Sequence, residues 1–281
     1  MRFSLSTGTL YPYPLRTVFR WARQAGFDGV ELSINPEAIL RRGEAVQHMA
    51  QAEGIEIFSV HPTLLPLPGW RERAGGMGPT IRLVQETSAH WVVMHTPRSP
   101  TLDDGGGLEF RQRVETWQPR LEGTGLGLAV ENKAVRNSGD HRYALTPLEN
   151  LRAFADQFDL GLVLDTTHAG SAGANLLHAR KVYGPRLVNV HLSDMGGRLP
   201  LPRLLPHAQE LLAQHRFPGG GTLPLRALVA TLSQERYEGL VTLEVNPLDM
   251  RAWWPPAVRR RLAEAHIWLE ESAQAGSILG R

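Results

Sequence analysis

Six residues able to hold a metal ion recur at one kind of position, the end of a short apolar run. They are His61 after EIFSV, His95 after WVVM, Glu131 after LGLAV, Asp165 after GLVL, His191 after LVNV and Glu244 after LVTL. Two further histidines lie close by: His168, three residues beyond Asp165 in LDTTHAG, and His215 in QHRFPGGG. Singly, each has a commoner use. An Asp that ends a strand often caps the following helix, and a lone His is more often a hydrogen-bonded core or rim residue. As a set they point elsewhere. Three carboxylates crowded into one place repel one another and resist ionisation; a divalent cation removes that conflict, and neutral imidazoles complete its shell. The chain has no cysteine, so disulfides and thiolate sites are excluded and any metal binds through His, Asp and Glu.

The set works only if the fold brings these ends together. Eight short β-rich runs begin at Phe3, Gly29, Glu56, Trp91, Leu126, Gly161, Leu187 and Leu240. Most are nearly continuous in apolar residues, the pattern of parallel strands covered on both faces. Between them, residues 15–25, 37–52, 148–158, 225–234 and 257–273 carry apolar residues at helical spacing, and glycines follow the first two at Gly26 and Gly54. Eight strands alternating with helices, with no interdomain linker, predict an α/β fold, a single (β/α)₈ TIM barrel over 1–281. A doubly wound open sheet is the alternative, but no Gly-rich nucleotide turn follows the first strand. In a barrel the C-terminal strand ends converge on one mouth.

Residues 62–78, 97–107 and 193–204 are poor in periodic pattern, and each follows a strand's C-terminal end, where lids and substrate-contacting loops belong. The Gly219-Gly220-Gly221 run suits either a backbone that approaches a ligand closely or a plain flexible turn.

Composition narrows the class. With 281 residues, a formal net charge of +2 and ordinary apolar content, the chain reads as a cytoplasmic globular protein, without a signal-peptide layout or a membrane-spanning run. Lys133 and Lys181 are the only lysines, so cationic charge is almost all arginine, which suits phosphate recognition. The small net charge does not argue for general nucleic-acid binding. Trp253, Trp254 and Trp268 near the C-terminus are expected to pack on the barrel rather than on another subunit, although a homo-oligomer remains open.

The ordered series SVHP, VVMHTP, VENKA, LDTTHAG, VHLSD, HRFPGGG and TLEVNP resembles the xylose-isomerase-like TIM-barrel superfamily over about residues 3–247. That group holds sugar isomerases and epimerases together with abasic-site nucleases of the endonuclease IV type. In the isomerase and epimerase branch, the resemblance implies one divalent metal held by Glu131, Asp165, His191 and Glu244. The two glutamates would act there as an acid/base pair on a carbon beside a carbonyl, through a metal-stabilised enediolate. His168 matches a substrate-binding histidine of that branch, and Arg198 lies one residue from where an epimerase arginine is expected. In the endonuclease branch the resemblance implies three zinc ions. His61 and His95 then complete a first site with Glu131, and Asp165, His168 and His215 match a third. The aspartate expected two residues before the loop histidine is Ala213 here, a departure that weakens the third site and the phosphodiesterase reading.

The leading expectation is therefore an isomerase or epimerase of a sugar or sugar phosphate, using Zn, Mn or Mg, with one ion rather than two or three. The alternative is a zinc-dependent abasic-site nuclease. It is supported by His61 and His95, and by Arg71, Arg73, Arg98 and Arg136 near the mouth, and only there does nucleic acid become a partner. A catalytically silent metal-binding barrel is the third reading.

Overall fold

In the computed structural model, which describes residues 1–63, 70, 77–196 and 213–279, eight parallel strands close into a barrel. They are β1 (Arg2–Ser6), β2 (Gly29–Ser33), β3 (Glu56–His61), β4 (Trp91–His95), β5 (Gly127–Glu131), β6 (Gly161–Asp165), β7 (Leu187–Leu192) and β8 (Leu240–Leu243). Pairing runs in sequence order, and β1 closes the ring on β8 with Phe3 opposite Val241. The expected TIM barrel is the observed fold.

The helices among the described residues are α1 (Leu15–Ala25), α2 (Pro36–Ala52), α3 (Met77–Gln85), α4 (Gly105–Leu121), α5 (Leu148–Gln157), α6 (Thr166–Ser171), α7 (Leu176–Tyr183), α8 (Leu225–Gln234) and α9 (Pro255–Leu279). Local chemistry sets their ends. Gly26 closes α1 in the left-handed region (φ 101°), donating back to Ala22 and Arg23, and it lies against the His266 ring where a Cβ would clash. Asn35 caps α2 by accepting from Ala38 N at 2.8 Å, with Pro36 in the first turn. The helix is broken at Arg42 (φ 66°), and Glu86 takes the freed Gly43 N–H at 2.8 Å.

Strand periodicity explains the site. Outward residues such as Val92, Leu128, Leu162, Val190 and Val241 join the main core beneath the helices. Inward ones form a separate small cluster, Val93, Ala129 and Val163, flanked by Trp91 and Val188. Two residues further along the same strands come His95, Glu131 and Asp165, so the period of two carries these side chains inward, one layer higher, at the mouth. Two register shifts interrupt the ladders. Val30 pairs with Ile57 but Glu31 with Ser59, leaving Phe58 unpaired; Leu162 pairs with Leu187 but Val163 with Asn189, leaving Val188 unpaired.

Of the pattern-poor stretches, 64–69 and 71–76 of the first lie outside the described residues and its last two residues begin α3, and the second runs into α4 at Gly105. In the third, Asp194 bridges to Arg216, and 197–212 lie outside the described residues. Packing of all three tryptophans on the barrel needs correction. Trp268 lies against the core, but Trp253 and Trp254, in the turn before α9, are exposed at 67% and 50%. No helix among the described residues is long and apolar enough to cross a membrane.

Candidate metal centre

Glu131, Asp165 and His191 end adjacent strands and are all buried; their donor atoms converge within 4.8 Å. Glu244, one residue past β8, puts Oε2 at 3.0 Å from His191 Nδ1, and Glu131 Oε2 lies 3.9 Å from the same nitrogen. The sequence-predicted quartet is therefore one cluster. Its accessibility is uneven: the Glu131 side chain is 2% exposed and Glu244 17%.

Two of the ligand candidates, Asp165 and His191, are fixed from behind. Asp165 caps the following helix with one oxygen and keeps the other available to the cluster. Oδ1 accepts from His168 N at 2.6 Å and caps α6, whereas the buried Oδ2 has no hydrogen-bond partner. Asn132 clamps the backbone of Asp165 in both directions, at 2.8 and 3.1 Å. His191 turns Nε2 to Glu31, 3.1 Å from Oε2, and its Nδ1 is left toward the carboxylates.

The other histidines gather around this cluster. His61 donates Nδ1–H to the Pro62 carbonyl at 2.9 Å, which leaves Nε2 3.5 Å from Glu131 Oε2; His95 Nε2 lies 3.6 Å from the same oxygen. These three form a second group with metal-ligand spacing. His168 donates from Nδ1 to the Asn132 carbonyl at 2.9 Å and lies 2.9 Å from Glu131 Oε1. With Asp165 and His215 it forms a third group. His215 adopts φ 51°, uncommon for a non-glycine residue, and is held there by several contacts. Asn246 N donates to its carbonyl at 2.6 Å, Ser193 Oγ contacts Nδ1 at 3.2 Å, and the Asp194–Arg216 bridge pins the next residue.

Arg198, Arg71 and Arg73 lie outside the described residues. Arg98 is committed to Asp140 at 2.8 Å and to the Ala134 carbonyl, and Arg136 is exposed. The glycine run packs against a carboxylate of the same loop. Gly219 N donates to Asp194 Oδ2 at 3.0 Å, and a Cβ on Gly221 would fall 2.4 Å from Asp194 Oδ1, so these residues wrap the loop tightly around one carboxylate.

Without a cation the cluster strains its own ionisation. Burial pushes Asp165 up, and the fields of Glu131 and Glu244 add to this against His168 and His215. Burial acts the same way on Glu131, but hydrogen bonds from His168 and His61 and the field of His95 outweigh it and hold Glu131 well below the usual carboxylate range. Glu244 is likewise lowered, its burial outweighed by His191. Burial disfavours the charged imidazoles, yet the carboxylates win: His61 and His168 are each pushed up to about 9, and His191 well above its ordinary value. Protons here do the work a cation would do. The fit to a cation is good, because the donor atoms of Glu131, Asp165 and His191 converge in one buried group and Asp165 Oδ2 within it has no hydrogen-bond partner.

Three side chains that shape this centre were not among the sequence candidates: Glu31, Asn132 and Ser193. Glu31 carried a signal, a lone carboxylate inside the apolar run GVELS.

The family model for the xylose isomerase-like TIM barrel matches residues 19–271. The chain belongs to that family. An uncharacterized protein of Mycobacterium tuberculosis is 26% identical over 275 residues, covering 90% of this chain and 91% of that protein. Among solved structures, this xylose isomerase-like barrel is similar to the 3-keto-D-glucoside 4-epimerase of E. coli, at 21% identity and TM-score 0.68 over 96% of this chain and 99% of that one. It is also similar to a D-psicose 3-epimerase of Clostridium cellulolyticum H10 with D-tagatose, at 14% identity and TM-score 0.68 over 97% and 99%. At such identities the likeness is one of fold.

Proposed function

We propose that this xylose isomerase-like barrel is a divalent-metal-dependent isomerase or epimerase of a sugar or sugar phosphate. The observation that carries the reading is the convergence of buried Glu131, Asp165 and His191, with Asp165 Oδ2 left without a hydrogen-bond partner, beside the more accessible Glu244. These four would hold the cation, Zn, Mn or Mg, which supplies Lewis acidity toward the carbonyl and hydroxyl oxygens of a substrate.

The protein's own groups do the rest. Glu244, open to the mouth, takes the proton from the carbon beside the carbonyl. Glu131, buried with Oε1 2.9 Å from His168 Nδ1, draws a proton from that imidazolium and returns it on the opposite side. Return to the same carbon gives an epimer; return to the neighbouring carbon gives an aldose–ketose isomer. His168, 15% exposed with Nδ1 bound to the Asn132 carbonyl, offers its other nitrogen to a substrate hydroxyl. The structural likeness to two sugar epimerases supports the same class.

The test is solvent exchange. Ketohexoses and their phosphates incubated with metal-loaded protein in deuterium oxide should gain deuterium at carbon three, and Glu244→Gln should abolish the gain. Absence of exchange from every substrate at full metal occupancy would overturn the reading.

A second reading rests on the His61–His95–Glu131 group, which a one-metal isomerase does not require. It would make the protein an abasic-site nuclease, and nicking of abasic duplex DNA that is lost in Glu131→Ala would favour it. Ala213 stands against it, as does Arg98, whose charge is already matched by Asp140.

A further inference from the structure

Glu31 lies on β2, which like β1 contributes none of the donor set, and it is fully buried. A buried carboxylate is costly unless it is paired and hydrogen-bonded. Glu31 Oε2 meets that requirement through three residues from two other strands, while the buried Oε1 has no hydrogen-bond partner. Ser59 Oγ on β3 donates at 2.7 Å, and Asn189 Nδ2 on β7 donates at 3.2 Å. His191 Nε2, also on β7, lies 3.1 Å from Oε2 and 3.0 Å from Oε1. Asn189 is oriented in turn, because Thr242 Oγ1 on β8 donates to its Oδ1 at 2.9 Å. The network sits one layer below the mouth: Ser59, Asn189 and Thr242 each lie two residues before His61, His191 and Glu244.

The backbone is irregular where this network needs it. The two register shifts of the barrel leave Phe58 and Val188 unpaired, the residues immediately before Ser59 and Asn189. Shifts of this kind re-aim the side chains that follow them. Both of the barrel's irregularities among the described strands therefore bring a Glu31 donor to its place.

We infer that Glu31 is a positioning residue for the metal centre: it accepts the Nε2 proton of His191, fixes that ring's tautomer and orientation, and so makes Nδ1 the donor atom. An imidazole ligand is set by the hydrogen bond its other nitrogen makes, and a carboxylate behind it raises its basicity. The inference rests on the metal-dependent reading above, and it adds a fourth carboxylate, buried, that acts without touching the ion. A solely structural role would be to satisfy Ser59 and Asn189, and that role would not depend on charge at position 31.

The experiment compares wild type, Glu31→Gln and Ser59→Ala. Binding of Mn²⁺ and Zn²⁺ is measured by competition with a chromophoric chelator, and unfolding is followed in excess chelator. Long-range ¹H–¹⁵N spectra of the Zn²⁺-loaded protein report which nitrogen of His191 carries the proton. Glu31→Gln keeps the shape but removes the charge and should weaken metal binding about 10–100-fold, the range for outer partners of metal-binding histidines. Ser59→Ala leaves the Glu31–His191 contact in place and should lower stability while leaving affinity within about threefold, well short of that range. Wild-type spectra should show His191 protonated at Nε2. Wild-type affinity retained in a folded Glu31→Gln variant would overturn the inference, as would a His191 protonated at Nδ1. A wild type that binds no metal would instead refute the underlying reading.

Discussion

Asp194→Ala should release the loop that presents His215. Asp194 is buried, and its carboxylate accepts three backbone N–H groups: Met195 at 2.9 Å, Leu223 at 3.0 Å and Gly219 at 3.0 Å. Its own backbone forms the bridge to Arg216, the neighbour of His215. A hydrogen bond to a charged group contributes about 1.5–3 kcal/mol, so full loss of three would be large. The donors are only partly buried, and water can replace part of what is lost. A net cost of about 2–4 kcal/mol follows. Urea unfolding with an unchanged m-value measures the loss, and hydrogen exchange should show faster exchange at Gly219 and Leu223 than in wild type. The four proposed donors lie outside this loop, so metal affinity should persist while turnover falls. A stability change below about 0.5 kcal/mol, the scale of ordinary surface substitutions, with unchanged exchange at both amides would refute the reasoning.

Gly221→Ala should loosen the same loop, because the new Cβ would meet Met195 O at 2.3 Å; a loss of about 1–3 kcal/mol in chemical denaturation is expected. Chelation should lower the unfolding temperature, since a ligand at a thousandfold its Kd stabilises by about 4 kcal/mol; an unchanged melting curve would contradict a cation at this site. The pH dependence should invert with loading. Without metal, His61 and His168 titrate near 9, above their ordinary 6.5, so their contribution to stability is full below about 6.5 and is lost as pH rises through about 9. With metal, binding must displace the proton on His191 Nδ1 and disfavours those on the neighbouring His61 and His168, so affinity should rise with pH, and calorimetry in buffers of different ionisation enthalpy should detect proton release.

The strand-end pattern made the barrel and six candidate ligands readable in the sequence, because an apolar run and the residue that ends it are local properties; the choice of four among the six came from the family resemblance. What lay beyond reach was mostly non-local. Glu31 and His191 are 160 positions apart, and nothing near either announces the other. The register shifts at Phe58 and Val188 leave no mark on composition, yet they decide where Ser59 and Asn189 point. The helix over Gly105–Leu121 begins in three glycines and contains Pro119, which masks a helical pattern that tertiary packing overrides. The glycine run was noticed, but its reason, the Asp194 carboxylate, is a contact of folded chain segments. Exposure of Trp253 and Trp254 reversed the expectation drawn from their apolar bulk, since a turn before a helix need not face the core.

The most direct test of the account is anomalous diffraction from crystals loaded with Mn²⁺. The prediction is a peak enclosed by Glu131, Asp165, His191 and Glu244. A dominant peak bounded by His61 and His95 instead, or none within the mouth, would contradict it.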